Sequence, residues 1–165
     1  MTQKQELLAS IKKAMQGEKD SVTLYENAAA HATDAEVKDF FTSRREEERL
    51  HYNYLLNYYQ QISGDLQPAD FAPSADAGSH PIFSASFIKR IGEDQYLFSA
   101  ISTALLLEKD AFEHYRKCAG QTDDTNLTHF FQTLEKWEMR HYDELLRIQK
   151  EAEQFYWEAN RFEPF

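Results

Sequence analysis

Glutamate and histidine recur in one pattern that the chain contains twice. The copies lie 90 residues apart and share internal spacings of 30 and 3 residues: Glu18, Glu48 and His51, then Glu108, Glu138 and His141. Residues three apart point from one face of an α-helix, so each Glu-x-x-His pair can chelate one ion. Carboxylates and imidazoles without thiolates suit iron or manganese, and zinc is also possible. The pattern therefore predicts a site for two metal ions. Iron is favoured because carboxylate-rich pairs leave positions open for oxygen or peroxide.

The charge of this ligand set is the reason to expect cations. The four carboxylates carry −4, the neutral imidazoles add nothing, and two divalent cations would bring the site close to neutrality. Without cations, repulsion and desolvation would raise the carboxylate pKa values and destabilise the fold by several kcal/mol, on the order of the cost of buried unpaired charges. The alternative is a duplicated helical hairpin that has lost its metal.

Apolar residues recur at steps of three and four in four segments, which is typical of helices that pack in a bundle. The stripes span residues 7–29, 37–62, 98–119 and 127–152, and all six candidate ligands lie on them. Glu47 sits about 100° round the helix from Glu48, so the stripe selects Glu48 rather than Glu47 as the candidate ligand. Glu113 and Glu144 lie off the stripes, so we expect them to be solvated. The ligands should therefore face the core from four helices.

The breaks between these segments predict two helical hairpins. Thr33-Asp34 and Asp123-Asp124 offer N-cap oxygens to the helices that follow, so each hairpin turns within a few residues. Residues 63–83 contain three prolines and two glycines and form a linker, followed by a short helical turn at residues 84–90. This linker can extend ~70 Å, whereas a helix over residues 34–62 is ~43 Å long. The second and third helices can therefore lie parallel.

We accordingly predict an all-α fold, a single domain over residues 1–165 in which two hairpins are joined by one long crossover. Hairpin 1 covers about residues 3–62, the crossover residues 63–83, and hairpin 2 about residues 84–153. The aromatic C-terminal tail is expected to pack on the bundle or on a neighbouring subunit.

Several residues near the ligands have two interpretations. Tyr25 and Tyr115 each lie seven residues after a candidate glutamate, on the same face. Core packing accounts for both, and hydrogen bonding to the metal ligands is the alternative. Arg44 is on a stripe where the repeat has Leu134, so it either extends to the end of the bundle or pairs with a carboxylate. The histidines without a partner at ligand spacing are expected at the surface or at caps: His31, His80, His114 and His129.

Composition excludes several classes of function. The formal charge of −10 argues against nucleic acid as a partner, because phosphates would be repelled. Cys118 is the single cysteine, so no disulfide framework or CxxC metal knuckle is possible, and we interpret it as a packing residue. No segment approaches the ~20 apolar residues that span a bilayer. We expect a cytoplasmic protein without a membrane partner.

The ligand pattern resembles that of the rubrerythrin-type diiron domain of the ferritin-like superfamily, over nearly the whole chain. The resemblance implies a ferritin-like four-helix bundle in which Glu48 and Glu138 bridge two metals. Glu18 and Glu108 would be terminal carboxylates, and His51 and His141 would each cap one metal. It further implies reduction of hydrogen peroxide or dioxygen by a diferrous centre, with a role in oxidative-stress defence, and often a homodimer.

The sequence departs from that family at two points. Rubrerythrins with peroxidase chemistry usually carry a further glutamate three residues after the third-helix ligand, and here that residue is Ala111. No rubredoxin-like CxxC module is present, so the electrons would come from an external donor. Two alternatives stay open, an iron-binding or ferroxidase-type storage protein, and a structural bundle that holds zinc or no metal.

Overall fold

The computed structural model describes residues 1–73 and 83–160. This part of the chain forms five helices and no strand: α1 Gln3–His31, α2 Ala35–Ser63, α3 Ala85–Glu93, α4 Gln95–Gly120 and α5 Thr125–Ala159. Four of them, α1, α2, α4 and α5, are long and form the bundle, so the predicted all-α architecture is confirmed. None of the described helices is long and apolar enough to cross a membrane.

Side-chain caps start the second helix of each hairpin. The Asp34 carboxylate accepts a hydrogen bond from the backbone N–H of Val37, and Asp124 accepts one from the N–H of Leu127. An aspartate at this position satisfies a backbone donor that the helix itself leaves unpaired. The short turns before α2 and α5 therefore hold the helices of each hairpin antiparallel, as the sequence predicts.

Polar contacts at the two ends of the bundle fix the direction of α4 relative to α1. Ser10, early in α1, donates to Gln121 at the end of α4, and His31 at the end of α1 lies 3.0 Å from Asp94 at the start of α4. Helices α1 and α4 are thus antiparallel. Because each is also antiparallel to its own hairpin partner, α2 and α4 run parallel, as a long crossover requires. Residues 74–82 of that crossover lie outside the described residues.

Two elements are longer than the sequence patterns indicated. The helical turn expected at residues 84–90 is α3, which continues to Glu93. Helix α5 does not end near residue 153 but continues to Ala159, because Phe155 packs on the apolar core and the Tyr156 ring stacks on Phe98 with centroids 4.3 Å apart. The first part of the aromatic tail is therefore helical and packs on the bundle. Residues 161–165 lie outside the described residues.

The apolar core is divided into two clusters, one on each side of the candidate ligands. One cluster includes Phe41, Leu105 and Leu145, and the other includes Ile11 and Leu55. The six ligand candidates form a polar layer between these clusters. This arrangement surrounds ionisable groups with hydrocarbon and gives them little access to water.

Candidate metal centre

The structure brings the six predicted site residues together in the middle of the bundle. None of them is more than 4% exposed. They form two groups of four whose ligand atoms all lie within 4.8 Å of one another: Glu18, Glu48, His51 and Glu138, then Glu48, Glu108, Glu138 and His141. Glu48 and Glu138 belong to both groups. The geometry is that of two adjacent cation positions that share two carboxylates.

Helices α2 and α5 run antiparallel and their side chains meet across the ligand layer, which explains this sharing. The histidine of each helix faces the glutamate of the other: His51 Nδ1 lies 2.6 Å from Glu138 Oε1, and His141 Nδ1 lies 3.1 Å from Glu48 Oε1. Helices α1 and α4 supply one further carboxylate each. Glu18 Oε1 is 3.7 Å from His51 Nδ1, and Glu108 Oε1 is 3.7 Å from His141 Nδ1. The two halves of the site are therefore related by a local twofold arrangement.

The polar atoms of this layer are suited to bind divalent cations, because several of them form no hydrogen bond with one another. Five buried ligand atoms have no hydrogen-bond partner: Glu18 Oε2, Glu48 Oε2, Glu108 Oε2, Glu138 Oε1 and His51 Nδ1. The last two atoms are only 2.6 Å apart, yet their orientation does not suit a hydrogen bond. Leaving such atoms desolvated and unpaired is costly. Cations between them would satisfy all five, so the residues present fit a two-metal centre.

Burial changes the ionisation of the carboxylates. Desolvation and the negative charge of Glu48 raise the pKa of Glu18 well above its ordinary value, and desolvation with the charge of Glu108 does the same to the pKa of Glu138. For Glu48, hydrogen bonds from its neighbours outweigh desolvation and hold its pKa well below the usual range. In the absence of cations, protons on Glu18 and Glu138 thus relieve the repulsion.

The neighbouring carboxylates raise the pKa values of both histidines. Burial lowers the pKa of His51, but the charges of Glu138 and Glu18 outweigh it and raise this pKa well above the ordinary value. Burial and the Arg44 guanidinium lower the pKa of His141, but three neighbouring carboxylates raise it to about 10. A metal ion that binds here must displace these protons.

Two tyrosines connect the hairpins through the ligands. Tyr25 of α1 donates a hydrogen bond to Glu108 Oε1 of α4 over 2.7 Å, and Tyr115 of α4 donates to Glu18 Oε1 of α1. Burial and the adjacent carboxylate raise the pKa of both phenols, so they keep their protons. Of the two interpretations of these tyrosines, hydrogen bonding to the candidate ligands therefore holds, in addition to core packing.

Arg44 pairs with carboxylates inside the bundle rather than extending to its end. Its guanidinium lies 3.0 Å from Glu144 and 3.5 Å from Glu47, and the arginine is 2% exposed. The prediction that Glu144 is solvated was wrong: it is 7% exposed, because it faces the buried Arg44 from α5. Glu113 is exposed, as predicted.

Sequence reasoning also missed the role of Glu47. Its carboxylate Oε2 lies 2.6 Å from Nε2 of His141, the ring nitrogen on the far side from the ligand cluster. The helical pattern correctly separates Glu47 from the ligand face of α2, but it does not show that a histidine of α5 reaches that side. The signal in the sequence was Arg44, a charge on an apolar stripe that requires carboxylate partners.

A family model described as rubrerythrin matches residues 9–149, a range that contains all six candidate ligands. The chain belongs to the rubrerythrin family. Its fold is similar to a solved structure, a ferritin-like, diiron-carboxylate protein from Bacillus anthracis str. Ames. The TM-score is 0.57 with 20% sequence identity, over 90% of this chain and 99% of that chain. No curated protein matches the chain significantly. The predicted family resemblance and the ferritin-like bundle are thus confirmed.

Ala111, the residue at which the sequence departs from the family pattern, faces a space between α1 and α4. A pocket of about 280 Å³ lies between α1 and α4, and small residues on both helices, Ala14, Gly17 and Ala111, line part of it. Tyr115 also lines the pocket, and its hydroxyl donates a hydrogen bond to Glu18. This rubrerythrin-family chain therefore offers no additional carboxylate from α4 to the metal positions.

The remaining histidines within residues 1–73 and 83–160 contribute to neither metal position. His31 and His129 are exposed, and His31 pairs with Asp94. His114 is half-buried and bonds to the Ser10 carbonyl oxygen. His80 lies outside the described residues. Cys118 is buried, which raises the pKa of its thiol to about 11, and it serves as the packing residue that the sequence predicts.

Proposed function

We propose that this protein is a non-haem diiron oxidoreductase that reduces hydrogen peroxide or dioxygen. The observation that supports this function best is the pair of overlapping ligand groups, which share Glu48 and Glu138 in a buried layer. Two ions held this close can act on one small oxidant together. We propose iron rather than manganese or zinc because the oxygen-rich ligand set suits a redox-active ion with open coordination positions.

Each residue of the layer has a role in this proposal. A bound pair of ferrous ions would supply the two electrons that, with two protons, convert one hydrogen peroxide into two water molecules. Glu48 and Glu138, which belong to both ligand groups, would hold both ions, whereas Glu18 with His51 would hold one and Glu108 with His141 the other. These six are the residues that would hold the metals.

Other residues of the chain would orient the ligands and control access of water. Tyr25 and Tyr115 donate to Oε1 of Glu108 and Glu18, and the second oxygen of each glutamate is buried without a hydrogen-bond partner. Such hydrogen bonds fix the orientation of a ligand and tune its basicity. The apolar clusters on both sides of the layer exclude bulk water.

The proposal requires electrons from outside the chain. Cys118 is the single cysteine, so no CxxC pair holds a rubredoxin-like centre. We therefore propose an external donor, either a separate redox protein or a small reductant. A homodimer, a cytoplasmic location and a role in oxidative-stress defence are part of the same proposal, and the first and the last of these rest on what the rubrerythrin resemblance implies.

One experiment tests the activity. Protein loaded with Fe²⁺ without oxygen is mixed with one equivalent of hydrogen peroxide, and iron content and visible spectrum are recorded before and after. We expect both irons to be oxidised within minutes and peroxide to be consumed continuously once a reductant is added. Zinc-loaded protein is the control and should consume none. A ferrous state that survives the peroxide for minutes would contradict the proposal, and retention of many more than two irons per chain would favour storage.

A further inference from the structure

The two metal positions have equivalent ligands but different surroundings. Three pairs of residues related by the 90-residue repeat differ in chemical type around the histidines: Arg44 against Leu134, Glu47 against Trp137, and Tyr54 against Glu144. The charged members of these pairs gather beside His141, whereas the aromatic members gather beside His51. The repeat is therefore broken at the residues that contact the outer sides of the two candidate histidine ligands.

Beside His141, the charged members form a chain of contacts. Glu47 Oε2 lies 2.6 Å from His141 Nε2, and the buried Arg44 lies between Glu47 and Glu144 at 3.5 and 3.0 Å. A carboxylate on the outer nitrogen fixes the tautomer and the ring orientation of a histidine and makes its other nitrogen a stronger metal ligand. The nitrogen that benefits here is Nδ1, which faces Glu48 and Glu108.

Beside His51, the contact is aromatic. The Trp137 ring stacks on the His51 imidazole with centroids 5.3 Å apart and planes inclined by 19°, and Tyr54 packs on the same indole at 6.4 Å. An indole N–H is only a donor, so Trp137 cannot accept the proton of a histidine nitrogen. Stacking restrains the plane of the ring, but it does not give His51 the electrostatic support that Glu47 gives His141.

We propose that the two positions bind metal with unequal affinity, the position capped by His141 filling first and the position capped by His51 filling second. Glu47 is the positioning residue that causes the difference, and Arg44 and Glu144 hold it in place. The inference rests on the two-metal centre of the proposed function, but not on the identity of the oxidant. The second position, beside Trp137, is then the one from which a metal ion is exchanged more readily.

Zinc, which is diamagnetic and accepts carboxylate and imidazole ligands, is a suitable probe. Zn²⁺ is added in steps to metal-free protein labelled with ¹⁵N in its histidines, and the ring-nitrogen signals are followed by NMR. Calorimetry on the same protein gives the two dissociation constants. We expect the His141 signals to shift with the first equivalent and the His51 signals with the second, with constants that differ by about 10–100-fold.

Two variants identify the cause of the difference. Glu47→Gln should weaken the first constant by about 10–100-fold, so that the two steps merge. Glu46→Gln is the matched control: it removes the same charge from the adjacent residue, whose carboxylate contacts only Arg45 and Arg49 among the ion pairs of the described residues. It should leave both constants unchanged.

The outcomes separate this inference from the proposed function. Simultaneous shifts of both histidines, or a shift of His51 first, would overturn the inference while two bound ions would still support the metal centre. A first constant unchanged by Glu47→Gln would also overturn it. Binding of fewer than two zinc ions to the unmodified protein would overturn the centre and the inference together. The order of filling in the unmodified protein needs no variant, so the test does not depend on whether Glu47→Gln folds.

Discussion

Glu48 and Glu138 illustrate at the scale of single residues why the ligand layer differs from the rest of the core. Each is at most 1% exposed, and each belongs to both groups of ligand atoms. Removing a carboxylate from water is costly unless it is paired or holds a cation. Because both glutamates lie among other acidic groups, a shared cation is the partner that suits each of them.

The histidines give a direct prediction at this scale. We expect His51→Ala and His141→Ala each to reduce the bound metal to about one ion per chain or fewer, because each removes the nitrogen ligand of one position. His129→Ala is the control, because His129 is exposed and belongs to neither ligand group. Metal analysis of the purified variants measures the effect. Equal metal loss in all three would contradict the ligand assignment.

The tyrosine hydroxyls give a second prediction. Tyr115→Phe removes the donor to Glu18 and leaves a buried carboxylate oxygen without its partner. We expect it to lower the free energy of unfolding by about 1–3 kcal/mol, the cost of leaving a buried acceptor without its partner. The measurement is urea unfolding of the metal-free protein. Tyr96→Phe is the control, because Tyr96 is 46% exposed and its stacking on His31 survives the change. A Tyr115→Phe variant as stable as this control would show that the hydrogen bond contributes little.

At the scale of helices, the repeat and its apolar stripes were sufficient to predict the bundle and the six residues that meet in it. Periodicity shows which face of a helix turns inward, and equal spacings show which residues share a level. The position of Glu144 could not be predicted this way, because a buried ion pair with Arg44 brings a residue off the stripe into the interior. The end of α5 was also missed, since tertiary packing of Phe155 and Tyr156 extends the helix.

The close approach of α3 to α5 at Gly92 predicts how a substitution there changes the stability of the protein. A Cβ added at Gly92 would collide with the Ala152 carbonyl oxygen and lie 2.6 Å from the Phe155 Cβ, so the backbones must separate. We expect Gly92→Ala to lower the free energy of unfolding by about 1–3 kcal/mol, as overpacking does. Thermal unfolding followed by circular dichroism measures the change.

Gly17 provides the matched control for this substitution. It lies inside α1, and a Cβ there would meet nothing within 4 Å. Gly17→Ala should therefore stabilise the protein by about 0.5–1 kcal/mol through helix propensity alone. If both alanine variants were stabilised equally, the close approach of α3 to α5 would not be a constraint.

At the scale of the whole molecule, bound metal ions should crosslink the two hairpins and stabilise the bundle. Every helix of the bundle contributes at least one ligand, so bound ions connect all four. A ligand present at 100 times its dissociation constant stabilises a fold by about 2.7 kcal/mol. For a chain of this size that corresponds to a rise in Tm of about 5–10 °C for one ion. Removing the metals with a chelator should lower the Tm by at least this amount. An unchanged Tm would contradict the claim that bound ions crosslink the hairpins.

The stabilisation by metal should increase with pH. In the metal-free fold, the pKa values of Glu18, Glu138 and His51 are raised, and that of His141 is raised to about 10. A raised pKa stabilises the fold at low pH, and this contribution is lost as the pH rises through the raised value. Bound metal replaces those protons, so the difference in Tm between loaded and metal-free protein should be larger at pH 8 than at pH 6. A smaller difference at pH 8 would contradict the raised pKa values.

Anomalous diffraction from crystals grown with Fe²⁺ tests the central claim most directly, because it locates the ions themselves. We predict two anomalous peaks inside the bundle, about 3.5–4 Å apart. One should lie within about 2.5 Å of His51 Nδ1 and the other equally close to His141 Nδ1, with Glu48 and Glu138 between them. The absence of peaks from this layer, with the six side chains packed against one another or turned to solvent, would contradict the claim that buried acids are held here by paired cations.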